Sequence, residues 1–368
     1  MDGAKLRAAR EAAGFSLSRM AALTHYSKPY LSQLENGHRT VSAQHVQAYS
    51  RALDVPIGAL YGPTNDPLRV AHEWLLADSP AAVHSGAGRH VGASLASELE
   101  RRVVELRHLD DTVGGGDLFP LVRRELTEAQ HVLNDSSFAT DIGRRLLIVV
   151  GELSQLAGWV GSDAGRYREA QRIYLDGVSA ANDAGDRPLA GQLLSSLSYQ
   201  MANVGDPADA TLLARSAVAG AKGATPVVNA LLLERVAWAS ARSRDADGAR
   251  RALDAVDDAF DRRSDSIQEP EWVYWLDRKE IDVMAARCLI ELGSPVAAQP
   301  LLSAAIAAYP SDHAREVALY ETWLAESYAR AGILDAARET IRHARKAANG
   351  VNSTRLHLRI TAVQRLIP

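Results

Sequence analysis

Across 368 residues the chain has one cysteine, Cys288, and only four phenylalanines. A single thiol excludes an intramolecular disulfide and a thiolate metal cluster within the chain. Set in the apolar run MAARCLIEL, Cys288 reads as a small buried hydrophobe. No stretch approaches the length of a membrane span, and the N-terminus has no apolar h-region of a secretory leader. That pattern predicts a soluble, cytoplasmic protein. Long alternating β-branched runs are missing too, while Ala and Leu are abundant, so the chain is predicted to be all-α. Catalytic signatures are equally scarce. There is no H-E-x-x-H and no glycine-rich dinucleotide fingerprint. Gly161-Ser162-Asp163-Ala164-Gly165 spaces its glycines four apart but places Ser second, so it is no nucleophile elbow. Gly114-Gly115-Gly116 lacks the Lys and Ser/Thr of a phosphate loop and reads as a helix-to-helix turn. His72, His84 and His90 lie at no known ligand spacing. No enzyme activity, cofactor or metal is expected.

Charge is unevenly spread. Residues 1–60 hold seven Lys/Arg and four Asp/Glu, a balance of +3, whereas the whole chain carries −4; residues 61–368 therefore carry −7. A mildly basic head on an acidic body suits one part that faces nucleic acid and another that faces something else.

The most informative stretch runs from Phe15 to Gly37. Ser16 is placed as an N-cap, and Leu17, Met20, Ala21 and Leu23 follow on one helical face. Thr24-His25-Tyr26 interrupts. Ser27 caps a second helix with Pro29 in its first turn, where a missing N–H costs nothing. Leu31 and Leu34 point inward, and Asn36-Gly37 closes the helix. The outer face is then Lys28, Pro29, Ser32 and Gln33, with Tyr30 at its edge. A short helix with one buried apolar side and one donor-rich side is shaped for a DNA major groove.

Four segments, LRAAREAAG, FSLSRMAALT, SKPYLSQLENG and SAQHVQAYSRALDV, occur in an order and spacing that resembles the Cro/C1-type (XRE) helix-turn-helix family. The resemblance implies a five-helix DNA-binding domain over residues 1–61. It implies base-facing roles for Lys28, Pro29, Ser32 and Gln33, and phosphate-side roles for Asn36, His38, Arg39 and Thr40. Glu35 and Arg10 match a structural pair of that family. Two positions depart from it. Leu17 stands where a polar phosphate anchor is common, which weakens one backbone contact. His25 stands where the turn usually has Gly, which predicts a slightly altered turn, because a non-Gly residue at positive φ is uncommon, although His is among the more tolerated types.

Beyond the punctuated linker 62–67, GPTNDP, the pattern stays helical. A short apolar helix is expected over 68–76, then a loop. Leu95, Leu99, Val103, Leu106 and Leu109 mark one long helix, and residues 117–133 its return. Five similar segments follow, marked by Ala170, Ala210, Ala249, Ala297 and Ala336 at spacings of 40, 39, 48 and 39. A repeated helix–turn–helix of that period signals an α-solenoid. It resembles the tetratricopeptide (TPR) family, with units a few residues longer than the usual ~34. The long gap holds an insertion at 262–270, and the helix predicted over 353–367 is expected to cap the open end.

Trp272, Tyr274 and Trp275 crowd the start of the fourth unit. They read either as the lining of a concave binding site for a peptide or aromatic ligand or as packing of the wider joint the insertion creates; packing is preferred. Trp159, Tyr174, Tyr199, Trp238, Tyr320 and Trp323 are expected in the core. Asp254, Asp257, Asp258 and Asp261 read as a solvated helix end.

The whole layout, head, linker and repeat body over 68–368, resembles helix-turn-helix regulators with TPR sensor domains of the actinobacterial type. The resemblance implies a transcriptional regulator that binds a palindromic double-stranded DNA operator. Its body would form a homodimer and sense a peptide or small-molecule effector. Two alternatives stand beside it: a protein-interaction scaffold that docks through its head, and a regulator that recruits a protein partner without a ligand.

Overall fold

The computed structural model describes residues 3–39, 41, 43–55, 60, 91–309 and 313–367. Ser42, Thr40, the expected fifth helix, the linker 62–67, the expected helix 68–76 and the three histidines His72, His84 and His90 lie outside the described residues. Among those described there are seventeen α-helices and no strand. Two compact units emerge, residues 1–79 with 350–352, and 80–349 with 353–368.

The head comprises α1 (Gly3–Ala12), α2 (Leu17–Leu23), α3 (Lys28–Glu35) and α4 (Ala43–Leu53). Ser16 accepts a hydrogen bond from the Arg19 N–H and Ser27 from the Tyr30 N–H, so both predicted caps form. Gly37, at φ +74, ends α3 in the conformation that favours glycine. Leu6, Met20, Leu31, Leu34, Val46 and Tyr49 make the core. One expectation fails locally. Leu23 is 53% exposed, because α2 is only two turns long and its last residue overhangs the core. His25 does not take positive φ; Thr24 leaves α2 in an extended conformation and the chain passes to α3 without a left-handed residue. The left-handed non-glycine in the head is Asp54, at φ 53, which ends α4.

The body opens with α5 (Ala93–Asp110), whose five marked apolar residues are all buried, and α6 (Gly115–Asp135). Five antiparallel hairpins follow: α7 (Thr140–Asp163) with α8 (Tyr167–Asp183), α9 (Arg187–Val204) with α10 (Pro207–Gly220), α11 (Pro226–Arg242) with α12 (Ala246–Asp261), α13 (Arg278–Glu291) with α14 (Pro295–Ala308), and α15 (Ala314–Arg330) with α16 (Leu334–Ala347). In every pair the fourth residue of the second helix is a fully buried alanine: Ala170, Ala210, Ala249, Ala298 and Ala337. The last two correct the expected register by one. Ala297 is exposed and Ala336 half-exposed, and the neighbouring alanine turns inward in each case. Small residues let the helices approach. A Cβ on Gly158 of α7 would stand 2.4 Å from the Tyr174 ring of α8.

Within four of these hairpins, a left-handed residue stands two positions past the first helix or beside it. Gly165, Gly293 and Gly332 fill it in the first, fourth and fifth, while Arg244 fills it in the third at φ 61. Directly after the insertion comes a 3₁₀ turn at Glu271–Val273, with Trp272 and Val273 buried against the α11 side of the core.

The final helix, α17 (Thr354–Gln364), does more than cap an open end. It packs on α15 and α16, and also on α7 at the start of the repeat array. The buried Asp163 carboxylate at the end of α7 accepts from the Gly115 N–H (3.0 Å) and the Ser353 hydroxyl (2.9 Å), and Arg355 lies 3.1 Å away. Thr354 donates to the Ala164 carbonyl at 3.1 Å. From α15, Arg315 reaches Asp110 (3.0 Å) and the Val113 carbonyl (3.1 Å) beside α5. The array therefore closes on itself, and its inner surface becomes a cavity.

Two outcomes follow from this packing. Arg244→Gly should raise stability by up to about 1 kcal/mol in denaturant unfolding, because it removes a side chain from left-handed backbone. Asp163→Ala should cost about 1–3 kcal/mol for each buried donor left without an acceptor, and should make the 350–367 region the first to be cut by protease. An unchanged unfolding midpoint would mean that the closure contributes nothing to stability.

Candidate nucleic-acid interface and body cavity

In the head, α3 is held from behind by a saturated polar network. Arg10 donates through Nε and Nη2 to the two Glu35 oxygens, each at 2.7 Å, and through Nη1 to the Phe15 carbonyl at 2.8 Å. Tyr49 donates to Glu35 at 2.7 Å, and all three side chains are buried. The hydrogen bond to Glu35 raises the Arg10 guanidinium above its ordinary value. This network fixes the rotation of α3 about its axis and so decides which side chains face outward.

Lys28, Pro29 and Gln33 are exposed on that outer face, and Ser32 is half-buried between them. Gln33 Oε1 accepts from Arg39 Nε at 2.7 Å. Since a guanidinium only donates, this bond sets the amide orientation and leaves the Gln33 NH₂ pointing away. Arg39 also lies over the Tyr30 ring at 4.6 Å. Tyr30 is stacked on Tyr26, 5.2 Å between centroids and 11° between planes, and its hydroxyl meets His45 Nε2 at 2.9 Å. Burial lowers the His45 pKa, with the Arg39 charge acting in the same direction. Asn36 donates to the Ser32 hydroxyl at 3.4 Å and also serves as the α3 C-cap, while His38 is exposed beside it. Tyr30 thus belongs to the platform beneath the outer face more than to the face itself. Thr40 lies outside the described residues.

The body encloses a cavity of about 360 Å³. Its walls come from the first helix of each hairpin, from α5 and α17, and from the strap 262–277. Tyr174, Tyr199, Trp238, Tyr320 and Trp323 are buried as expected, and Tyr199 and Tyr320 also line the cavity, as does Trp159, which is only half-buried. All three strap aromatics line it too, each in its own way. Trp272 is core-packed, Trp275 is half-buried, and the Tyr274 hydroxyl donates to both Asp111 oxygens, at 2.6 and 2.8 Å. His108 sits 4.4 Å from the Tyr274 ring and 3.3 Å from Glu271, so the strap is tied down on α5. Asp257, expected to be solvated, pairs with Arg278 at 2.6 Å.

The cavity's charges are mostly matched. Arg315 is shared by Asp110 and Glu316, Arg107 pairs with Glu152 at 2.9 Å, and Glu280 accepts from Tyr309 and Tyr320. Arg235 and Arg287 differ. Arg235 lies over the Tyr199 ring at 4.6 Å and the Trp275 ring at 5.9 Å, and its ion partner, Glu234, is 3.8 Å away. Burial pushes the Glu234 carboxyl up to about 8 although Arg235 pulls it down, so at neutral pH it holds its proton. Arg287 is boxed by Trp238, Trp323 and Tyr199, donates to the Tyr199 hydroxyl at 2.9 Å, and has no partner at Nε. Burial raises the Tyr199 hydroxyl, but Arg287, Arg355 and Arg235 outweigh it and bring it down to about 8. Cys288, beside Arg287, is fully buried with its thiol pushed up to about 12 by that burial, as an inert cysteine should be.

Residues 6–60 match a family model described as Helix-turn-helix. The head is a helix-turn-helix domain. No curated protein matches the chain. Among solved structures the chain is similar to the crystal structure of Podosopora anserina kinesin light chain nearly identical TPR-like repeats, at 18% identity, over 53% of this chain and 92% of that one, with a TM-score of 0.35. A superposition that loose carries no argument, and the repeat character of the body rests on its own five hairpins. Among the described residues no helix is long and apolar enough to cross a membrane.

The helix-turn-helix head thus presents Lys28, Pro29, Ser32, Gln33, Asn36, His38 and Arg39 on adjoining surface. In the body, sequence reading found the strap aromatics but missed Glu234, Arg235, Arg287 and Arg355. The available signal was charge inside otherwise apolar first helices, as in LLLERVAW and MAARCLIEL.

A pH dependence follows from Glu234. Its ordinary value is 4.5 and its folded value about 8, so between those limits the folded chain keeps a proton that the unfolded chain releases. Stability from this site therefore falls as pH rises from about 5 to about 8. Glu234→Gln should remove that slope, so its melting temperature gains on the wild type across this range; parallel curves would mean that Glu234 is ionised throughout.

Proposed function

We propose that the protein is a sequence-specific transcriptional regulator. Residues 1–61 bind double-stranded DNA, 62–67 form the linker, and 68–368 form a body that dimerises and senses a peptide or small-molecule signal. The observation that carries the reading is the donor-rich outer face of α3, aimed by the buried Arg10–Glu35–Tyr49 network in a head that matches the helix-turn-helix family. Lys28, Pro29, Ser32 and Gln33 face the bases. Asn36, His38, Arg39 and Thr40 lie toward the phosphates, and Tyr30 supports them. A homodimer would set two such helices on half-sites about 34 Å apart, or a multiple of that, on a palindromic operator. The protein works in the cytoplasm, beside the chromosome it reads, and needs no cofactor for this role. The enclosed cavity supports a sensing body, since repeat packing alone does not require a polar, aromatic interior.

Selection of preferred DNA from a random pool by the full-length protein tests the reading; no preferred site at low salt would favour a docking scaffold. Gln33→Ala should cost about 1–3 kcal/mol of discrimination at one base pair of each half-site. Arg39→Ala should lower the salt slope by about one and weaken all sequences. Because Arg39 also orients the Gln33 amide, it should blur the same base pair that Gln33→Ala blurs. A uniform loss across operator variants would show that the two side chains act separately.

A further inference from the structure

The closed body bears on what kind of ligand can enter. The cavity is bounded by α17, tied to Asp163, and by the strap, tied to Asp111. Its volume of about 360 Å³ suits one small molecule. Its chemistry is lopsided. Arg107, Arg315 and Arg355 each have a carboxylate within 3.1 Å. Arg287 has no ion-pair carboxylate among the described residues and carries a buried nitrogen without a partner. Arg235 has only Glu234, at 3.8 Å. Arg235 and Arg287, both beside the Tyr199 ring, are thus the cavity guanidiniums without a close carboxylate, in a site walled by Trp159, Tyr199 and Trp275. Keeping such charge buried is costly unless something anionic joins it.

We propose that the cavity binds a small aromatic carboxylate, its carboxylate taken by Arg235 and the Tyr199–Arg287 pair and its ring packed on the faces of Trp159 and Trp275. Arg is suited to this task because its planar fork matches a carboxylate and its flat face tolerates aromatic neighbours. The ring contributes apolar burial and edge contacts with the indoles. The proposal deepens the sensing role given above, but binding itself does not depend on the DNA reading.

Isothermal titration of the full-length chain with indole-3-acetate, 4-hydroxybenzoate and cinnamate, and with the carboxamide of each, tests it. At least one acid should bind one per chain, and its uncharged amide about tenfold or more weaker. Arg235→Gln should abolish that preference, Arg235→Lys should retain most of it, and Trp159→Leu should weaken acid and amide alike. Melting curves of the variants report whether each is folded, and Trp159→Leu with Arg235→Lys keeps the test standing if Arg235→Gln is not. Equal affinity for acid and amide, no binding by any acid at about 1 mM, or acid affinity untouched by the variants overturns the proposal. Operator binding measured with and without the acid separates the two readings: an acid that binds without altering operator affinity leaves the pocket assignment intact and overturns only the sensing role.

Discussion

A single carboxylate ties the body together. Asp163 gathers the Gly115 amide, the Ser353 hydroxyl and Arg355, groups that lie 48, 190 and 192 positions away along the chain. Helical hairpins stacked by small residues have no inherent stopping point, and each would leave one face bare at either end. Here the bare end of the first hairpin receives the last helix. Without that contact the inner wall would be a trough open to water, and the guanidiniums on it would be ordinary solvated charges. With it, the same side chains face a bounded cavity, where a charge left without a partner is costly.

Head and body handle buried polarity in opposite ways. In the head, Arg10, Glu35 and Tyr49 satisfy one another, and the result is rigidity. Such a network is suited to holding α3 at one angle, as reading a base edge demands. In the body, Arg287 Nε, Glu234 Oε1 and Arg107 Nη1 are left without partners. Native proteins keep few such atoms, and each calls for a reason, such as strain or a water, ion or other group that completes the arrangement.

How much of this was legible from residue order depends on contact range. Both caps of α2 and α3, the Pro29 entry and the Gly37 exit are decided within four residues, so the local pattern sufficed. Leu23 misled because a helical face says nothing about where a short helix runs out of neighbours. The repeat period was visible, yet Ala297 and Ala336 were read one residue early, since adjacent alanines, Ala297-Ala298 and Ala336-Ala337, carry no signal for which one turns inward. Ring closure and the cavity were not legible at all. They arise from pairings such as Arg315–Asp110, separated by 205 positions, and a lone arginine in an apolar helix looks the same whether it snorkels to water or faces a hollow.

The strap explains why one repeat interval is longer than the rest. Between α12 and α13 the chain must leave the stack, lay Trp272 into the core, reach Asp111 and His108 on α5 with Tyr274, and return. That detour spans a fixed gap, and an extended chain covers at most about 3.3–3.6 Å per residue. The segment therefore acts as a measuring rod for the diameter of the enclosure. Insertions into it would be absorbed as slack, whereas deletions would have to be answered by releasing Tyr274 from Asp111 or by drawing α5 and the fourth hairpin together. In a lineage that varied its loops freely, this one would tolerate growth and resist loss.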